Sequence, residues 1–151
     1  MQITQVHRSE QEKVFITVEN NDTVALTAGL VCKFSPTTVN ASQGRLVELI
    51  ENEFAVTTGV VGQVAGVVEV AIPIGGVGRL QVYGPADVTF GANCAVGIAA
   101  TAGHATDGKA TAGSTVAGAY SPTAQLAVLG VTLEVVAVST STTGSVFLSL
   151  M

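Results

Sequence analysis

The sequence predicts an all-β domain, a compact antiparallel β-sandwich or β-barrel, with a mobile N-terminal arm. Three observations carry that reading. The 48% apolar share is built from small and β-branched residues, with 25 valines but five phenylalanines, two tyrosines and no tryptophan, and branched side chains suit a pleated surface. The stretch Gly66 to Gly84, GVVEVAIPIGGVGRLQVYG, alternates apolar and polar residues on both sides of a glycine pair. The C-terminal stretch carries two more apolar rows of the same period, which is the period of a strand and not of a helix.

In chain order, residues 1–12 lack periodicity and are rich in charge and amides, so they read as an arm free of the domain that fills 13–151. Val14 to Glu19 alternates Val14, Ile16 and Val18 with Phe15 and Thr17, and stops at the turn signal Asn20-Asn21-Asp22. A strand over Val24 to Phe34 is interrupted at Gly29, the place for a bulge. Ser35-Pro36 opens a loop. Arg45 to Val56 fits a helix through Leu46, Leu49 and Ile50 or a strand beginning at Leu46 and Glu48; its strand neighbours favour the strand.

The central hairpin is specified by its faces. A two-residue Gly75-Gly76 loop would put Ile72 against Arg79 and Glu69 against Val82, mixing core and solvent residues. A three-residue loop of Ile74, Gly75 and Gly76 instead sets Val70 opposite Leu80, Val68 opposite Val82, and Glu69 opposite Gln81 with Arg79 on its diagonal. Pro73, lacking a donor, ends its strand or lies at an edge. Val60, Val61 and Val64 extend the first strand or form one of their own, and Gly62 and Gly66 leave that open.

From Gly91 the glycines at 91, 97, 103, 108, 113 and 118 nearly repeat. Only Val96 and Ile98 supply the bulky aliphatic residue that a β-helix needs at every turn, so the passage reads as short strands and Gly/Ala/Thr loops. At the C-terminus, Ala127, Leu129, Val131, Leu133, Val135 and Ala137 form one apolar row and Val146, Leu148 and Leu150 another. A loop from Ser139 to Gly144 sets Val135 opposite Leu148 and Leu133 opposite Leu150, with Glu134 outward beside Ser149.

With 151 residues, one domain with one sizeable core is expected. Charged residues make up 11%, against about 25% in an ordinary soluble domain, which predicts that part of the surface is covered by another subunit. The balance of 6 basic against 11 acidic residues, net −5 and without a basic cluster, excludes nucleic acid as an expected partner. The opening MQITQVHRSEQEK is polar and predicts no signal peptide. The charge-free run Ala110 to Leu133 carries Ser, Thr, Gly, Pro122 and Gln125, and predicts no membrane span.

The chain offers few groups for chemistry. Cys32 and Cys94 stand 62 positions apart without CxxC spacing, as small core residues do. Cys94, His104 and Asp107 match no zinc-ligand spacing, and His7 has no candidate partner. Cys94 with His104 makes at most a two-residue dyad, and Ser114 lacks a nucleophile elbow. Glu48, Glu51 and Glu53 read as a solvated face. Gly75-Gly76-Val77-Gly78 precedes a strand where a phosphate cradle needs a helix. No catalytic residue, cofactor or metal is expected, and the chain is not expected to be an enzyme.

The order of segments is similar to head decoration, or capsid cement, proteins of tailed bacteriophages: the polar arm, KVFITVENND, GVVEVAIPIGGVGRLQVYG, the Gly/Ala/Thr passage, and LGVTLEVVAVSTSTTGSVFLSL. The likeness is sharpest over GRLQVYG and the last hairpin. It implies a small β-tulip-like protein that binds the major capsid protein from outside the shell, often as a homotrimer, and stabilises it without chemistry. It would be made in the host cytoplasm and reside on the virion. The arm, through Ile3, Gln5, Val6 and Arg8, is the candidate capsid-binding element, able to add a strand to a capsid edge. The alternative is a ligand- or glycan-binding β-domain of another virion or surface protein, for which Tyr83, Tyr120 and the phenylalanines are the stacking rings available.

Overall fold

The computed structural model describes residues 12–35, 45–50, 64–102, 106–113, 128–137 and 142–150. Within them run nine strands: β1 (Val14–Asn20), β2 (Val31–Phe34), β3 (Leu46–Leu49), β4 (Val64–Val68), β5 (Val77–Thr89), β6 (Ala99–Ala102), β7 (Ala110–Ala112), β8 (Val128–Thr132) and β9 (Thr143–Ser149). The described residues are all-β, as the valine-rich alternation predicts. The strand order is β1-β3-β2-β4-β5-β9-β8-β6-β7, and β5 also pairs with β1. That pairing closes β1-β3-β2-β4-β5 into a five-stranded barrel, antiparallel except where β1 meets β3.

The barrel interior is a core of Val18, Leu26, Cys32, Val47, Ala65, Val68, Ile72 and Leu80. A second core lies beyond it. β5 is 13 residues long; it pairs with β1 up to Tyr83, and from Tyr83 onward with β9. β8, β6 and β7 follow, and Ala110 of β7 returns to Phe90, just past β5, through a parallel bridge. The strands so wrapped enclose Ala86, Val88, Phe90, Ala100, Ala102, Ala110, Leu129, Val146 and Leu148, together with Val31, Val64 and Val67 from the first barrel. β2 and β4 therefore bury both faces, which is why β4 reads VAGVV and is buried at every position. The turn between β6 and β7 seats on the first barrel: the Gly108 N–H donates to the Ile50 carbonyl at 2.8 Å and the Val31 N–H to the Gly108 carbonyl at 2.7 Å.

Gly84 marks the handover in β5. Its φ is +90°, and a Cβ there would strike the carbonyl of Glu12, where the chain enters β1. Only a residue without a side chain lets these two segments pass.

Several expectations are corrected. In the central hairpin Val68, not Val70, lies opposite Leu80, and Val67 lies opposite Gln81. The two-residue slip preserves the faces, because side chains repeat every two residues. Its cause is Ile72, which leaves the ladder to fill the barrel and exchanges backbone hydrogen bonds with Leu26 at 2.8 and 2.9 Å. Val70 is then 66% exposed. Arg79 stands opposite Glu69 and pairs with it at 2.8 Å, rather than on its diagonal. Gln81 is buried and not outward, and its carboxamide donates to the Tyr83 and Pro85 carbonyls at 3.1 and 2.8 Å.

The last hairpin departs further. Gly130, Val131 and Thr132 lie opposite Leu148, Phe147 and Val146, an odd shift from the expected register that turns the faces over. A β-bulge at Leu129, across from Ala100 and Thr101, adds a residue and changes the phase. Leu129 and Thr132 are buried, whereas Val131, Leu133 and Val135 are exposed, Val135 by 69%. Val136 is core in place of Val135, held by a bridge to Cys94. Glu134 reaches the Ser145 N–H at 2.8 Å rather than lying beside Ser149. The row Val146, Leu148 and Leu150 does pack on the second core. Elsewhere Val24 to Phe34 is no continuous strand, since it turns at Ala28-Gly29 and resumes as β2. Within Arg45 to Val56, Leu46–Leu49 forms β3, the strand reading, while residues 51–56 lie outside the described residues; Val64 starts β4, the hairpin's first strand.

Candidate interaction surface

The arm residues Ile3, Gln5, Val6 and Arg8, and also His7, His104, Ser114, Tyr120, Glu51 and Glu53, lie outside the described residues. Cys94 is buried, with its Sγ 3.7 Å from the Ala95 carbonyl, while Asp107 is exposed. Glu48 pairs with the buried Lys33 at 3.5 Å. The strand β5 begins directly at Val77 after Gly75-Gly76. Among the described residues no three His, Cys, Asp or Glu side chains gather to hold a metal ion, and no helix is long and apolar enough to cross a membrane.

What the structure does assemble is a sheet face. Pro85 of β5 lies opposite Phe147 of β9, Phe147 opposite Val131 of β8, and Val131 opposite Ala99 of β6. Residues opposite one another on neighbouring strands project from the same side. The register thus lays one apolar row across four strands, on the side of the sheet away from the second core. Tyr83 meets Phe147 edge to face, with ring centroids 5.4 Å apart. Leu133 continues the row beyond Val131, its N–H donating to the Ser145 carbonyl at 2.9 Å. Val131 and Leu133 are each 47% exposed.

The backing of this face is tied down by hydrogen bonds. Thr132, the inward neighbour of Val131 and Leu133, is buried; its hydroxyl lies 2.7 Å from the Ala95 carbonyl and 3.0 Å from that of Ile98, and accepts the Ile98 N–H at 3.1 Å. These bonds tie residues 95–98 to β8 without spending the outward side chains. At the border, Asp87 lies opposite Ser145 with Oδ1 3.4 Å from its hydroxyl, and Glu134 accepts the Ser145 N–H. The sequence missed the face because the bulge at Leu129 decides it, and nothing in the alternation of Leu129, Val131, Leu133 and Val135 marks a bulge.

An open cleft of about 290 Å³ lies where the 28–29 turn, the end of β4 and the middle of β5 meet, lined among others by Lys13, Glu69, Gln81, Asp87 and Thr143. Among the described residues its lining holds no aromatic ring.

Fold and surface together define a class: a small all-β domain, a closed five-stranded barrel extended by further strands around a second core, that presents an apolar sheet face. No protein-family model and no curated protein matches the chain. Among solved structures it is similar to the N base of head fiber gp8.5 in bacteriophage phi29, with a TM-score of 0.55 and 15% identity over 92% of this chain and 96% of that one. The likeness is one of fold.

Proposed function

We propose that the protein is a structural component of a bacteriophage virion, bound to the outside of the head, where it decorates and stabilises the assembled shell. The observation that carries this reading is a fold shared with a phage head fiber base along 92% of the chain. The order of sequence features resembling capsid cement proteins points the same way, and so does the low charge, which suits a chain that is partly covered in its working state.

A subunit that binds the mature lattice and not the separated shell proteins stabilises the lattice by mass action. The major capsid protein is the proposed partner, with copies of this chain associating as a trimer. The arm, through Ile3, Gln5, Val6 and Arg8, is a proposed contact. Ordering it costs roughly 1 to 2 kcal/mol of backbone entropy per residue, so it contributes only if several contacts form at once.

The test uses shells of the phage that encodes the chain, prepared without it. Purified full-length protein should cosediment with them and raise the temperature at which they release DNA. Absence of binding would reject the virion reading. Deletion of residues 1–12 should lower occupancy and heat protection; a truncated chain as effective as the intact one would remove the arm from the mechanism.

A further inference from the structure

We infer that the outer face of β5, β9, β8 and β6 is the surface that docks on the shell, against a protein contact with an apolar centre and a lysine or arginine at its edge. This rests on the virion reading above and names the contact it leaves open.

The centre of the face is Tyr83, Pro85, Phe147, Val131, Leu133 and Ala99, fixed side by side by strand register and ring contact. Exposed apolar groups scattered singly are ordinary, but a contiguous row across four strands is a mark of contact with another protein. The border supplies the polarity of the partner. Asp87 and Glu134 both bond to Ser145, and neither forms an ion pair with any cation of the chain among the described residues. Arg79 is engaged with Glu69, Lys33 is buried beside Glu48, and Lys13, which lines the cleft together with Asp87, forms no ion pair with it. Two carboxylates at the edge of an apolar face call for a basic residue from outside, since complementary charge at the rim sets register and encounter rate.

The same feature decides against a second copy of this chain docked face to face. A two-fold contact places the patch on itself, which sets its two carboxylates against a centre of Tyr83, Pro85, Phe147, Val131, Leu133 and Ala99 that carries no lysine or arginine. The extent of the face also fits a lattice partner. Four strands spaced about 4.8 Å apart span roughly 14 Å between the outer two, about half the roughly 28 Å side of a square patch of the roughly 800 Å² per partner that a stable pairwise interface buries. Many copies on a repeating shell, each joined at more than one point, bind tightly through contacts of this size.

The experiment measures binding of full-length variants to the encoding phage's shells. Val131→Asp should weaken binding at least about tenfold, as loss of a central apolar contact does. Asp87→Asn with Glu134→Gln, which keeps shape and hydrogen-bonding capacity, should weaken it about threefold to tenfold at low salt, with the difference closing as salt is raised. Ile74→Asp, at a still more exposed apolar site on the turn before β5, should bind as wild type does. Wild-type binding with no loss in either face variant would overturn the inference and leave the virion reading standing, whereas no wild-type binding would reject both. A Val131→Asp variant that binds shells normally but sediments as a smaller species would assign the face to self-association, against the inference.

Discussion

Asn20, the last residue of β1, donates from its buried side-chain amide to the Pro73 carbonyl at 3.2 Å. The same nitrogen serves Ile72 at 3.2 Å and Val24 at 2.9 Å, while Oδ1 accepts the Asp22 N–H at 2.8 Å. One side chain thus fixes the turn before β5 against the end of β1, closing the mouth of the first barrel. Asn20→Ala should destabilise by on the order of 2 kcal/mol, because the hydrogen bonds that join the end of β1 to the turn are lost together, although the Ile72 and Pro73 carbonyls keep backbone donors in Leu26 and Gly76. Asn20→Asp should cost more at neutral pH, since a carboxylate only accepts and would face carbonyl oxygens. Part of that loss should return on acidification, when the protonated acid can donate. Urea unfolding of the three proteins at pH 7 and pH 4 checks the order.

Val68 and Val70 separate what was legible in the sequence from what was not. Their alternation shows that they belong on one face of a strand, and Val68 is core. The identity of the residue opposite Leu80 depends on Leu26 capturing Ile72, a contact between segments 46 positions apart that no local pattern displays. In the same way, Val146 and Leu148 are readable as core, but the bulge at Leu129 exposes Val135 and buries Val136. The candidate face was therefore hidden within a row that looked like interior. Val68→Ala and Val136→Ala should each destabilise by on the order of 1 to 3 kcal/mol, and Val70→Ala and Val135→Ala by less than about 0.5 kcal/mol. Denaturant midpoints of the four variants decide the matter; a large loss in Val135→Ala would restore the simple alternation.

Gly84 permits β5 to pass from the barrel to the strands around the second core. Gly84→Ala has to hold an L-residue at a φ of +90° and place a methyl group against the Glu12 carbonyl. The first effect costs roughly 1 to 2 kcal/mol and the clash adds to it. Gly75→Ala, at φ +66° with nothing near the added methyl, isolates the conformational part. Thermal unfolding should show the larger loss at Gly84, and amide exchange should quicken in β1, whose entry to the barrel passes that point.

Cys32 makes stability depend on alkaline pH. Burial in the barrel core pushes its thiol up to about 12, with the negative charge of Asp22 adding to the effect. In the unfolded chain a cysteine ionises near pH 8.5. Between these values the unfolded state has released a proton that the folded state retains, so the folded state loses ground as pH rises. The contribution is fully present below the unfolded pKa, and declines by at most about 1.4 kcal/mol for each pH unit between roughly 8.5 and 12. Tyrosines and lysines titrate in the same range, so the measurement is a difference: wild type against Cys32→Ala, by urea unfolding from pH 8 to pH 11. The gap between the two should narrow steadily with pH. The native thiol should also resist alkylation at pH 8 except through opening of the barrel. A constant gap, or rapid modification of Cys32 in the folded protein, would place the thiol outside the core.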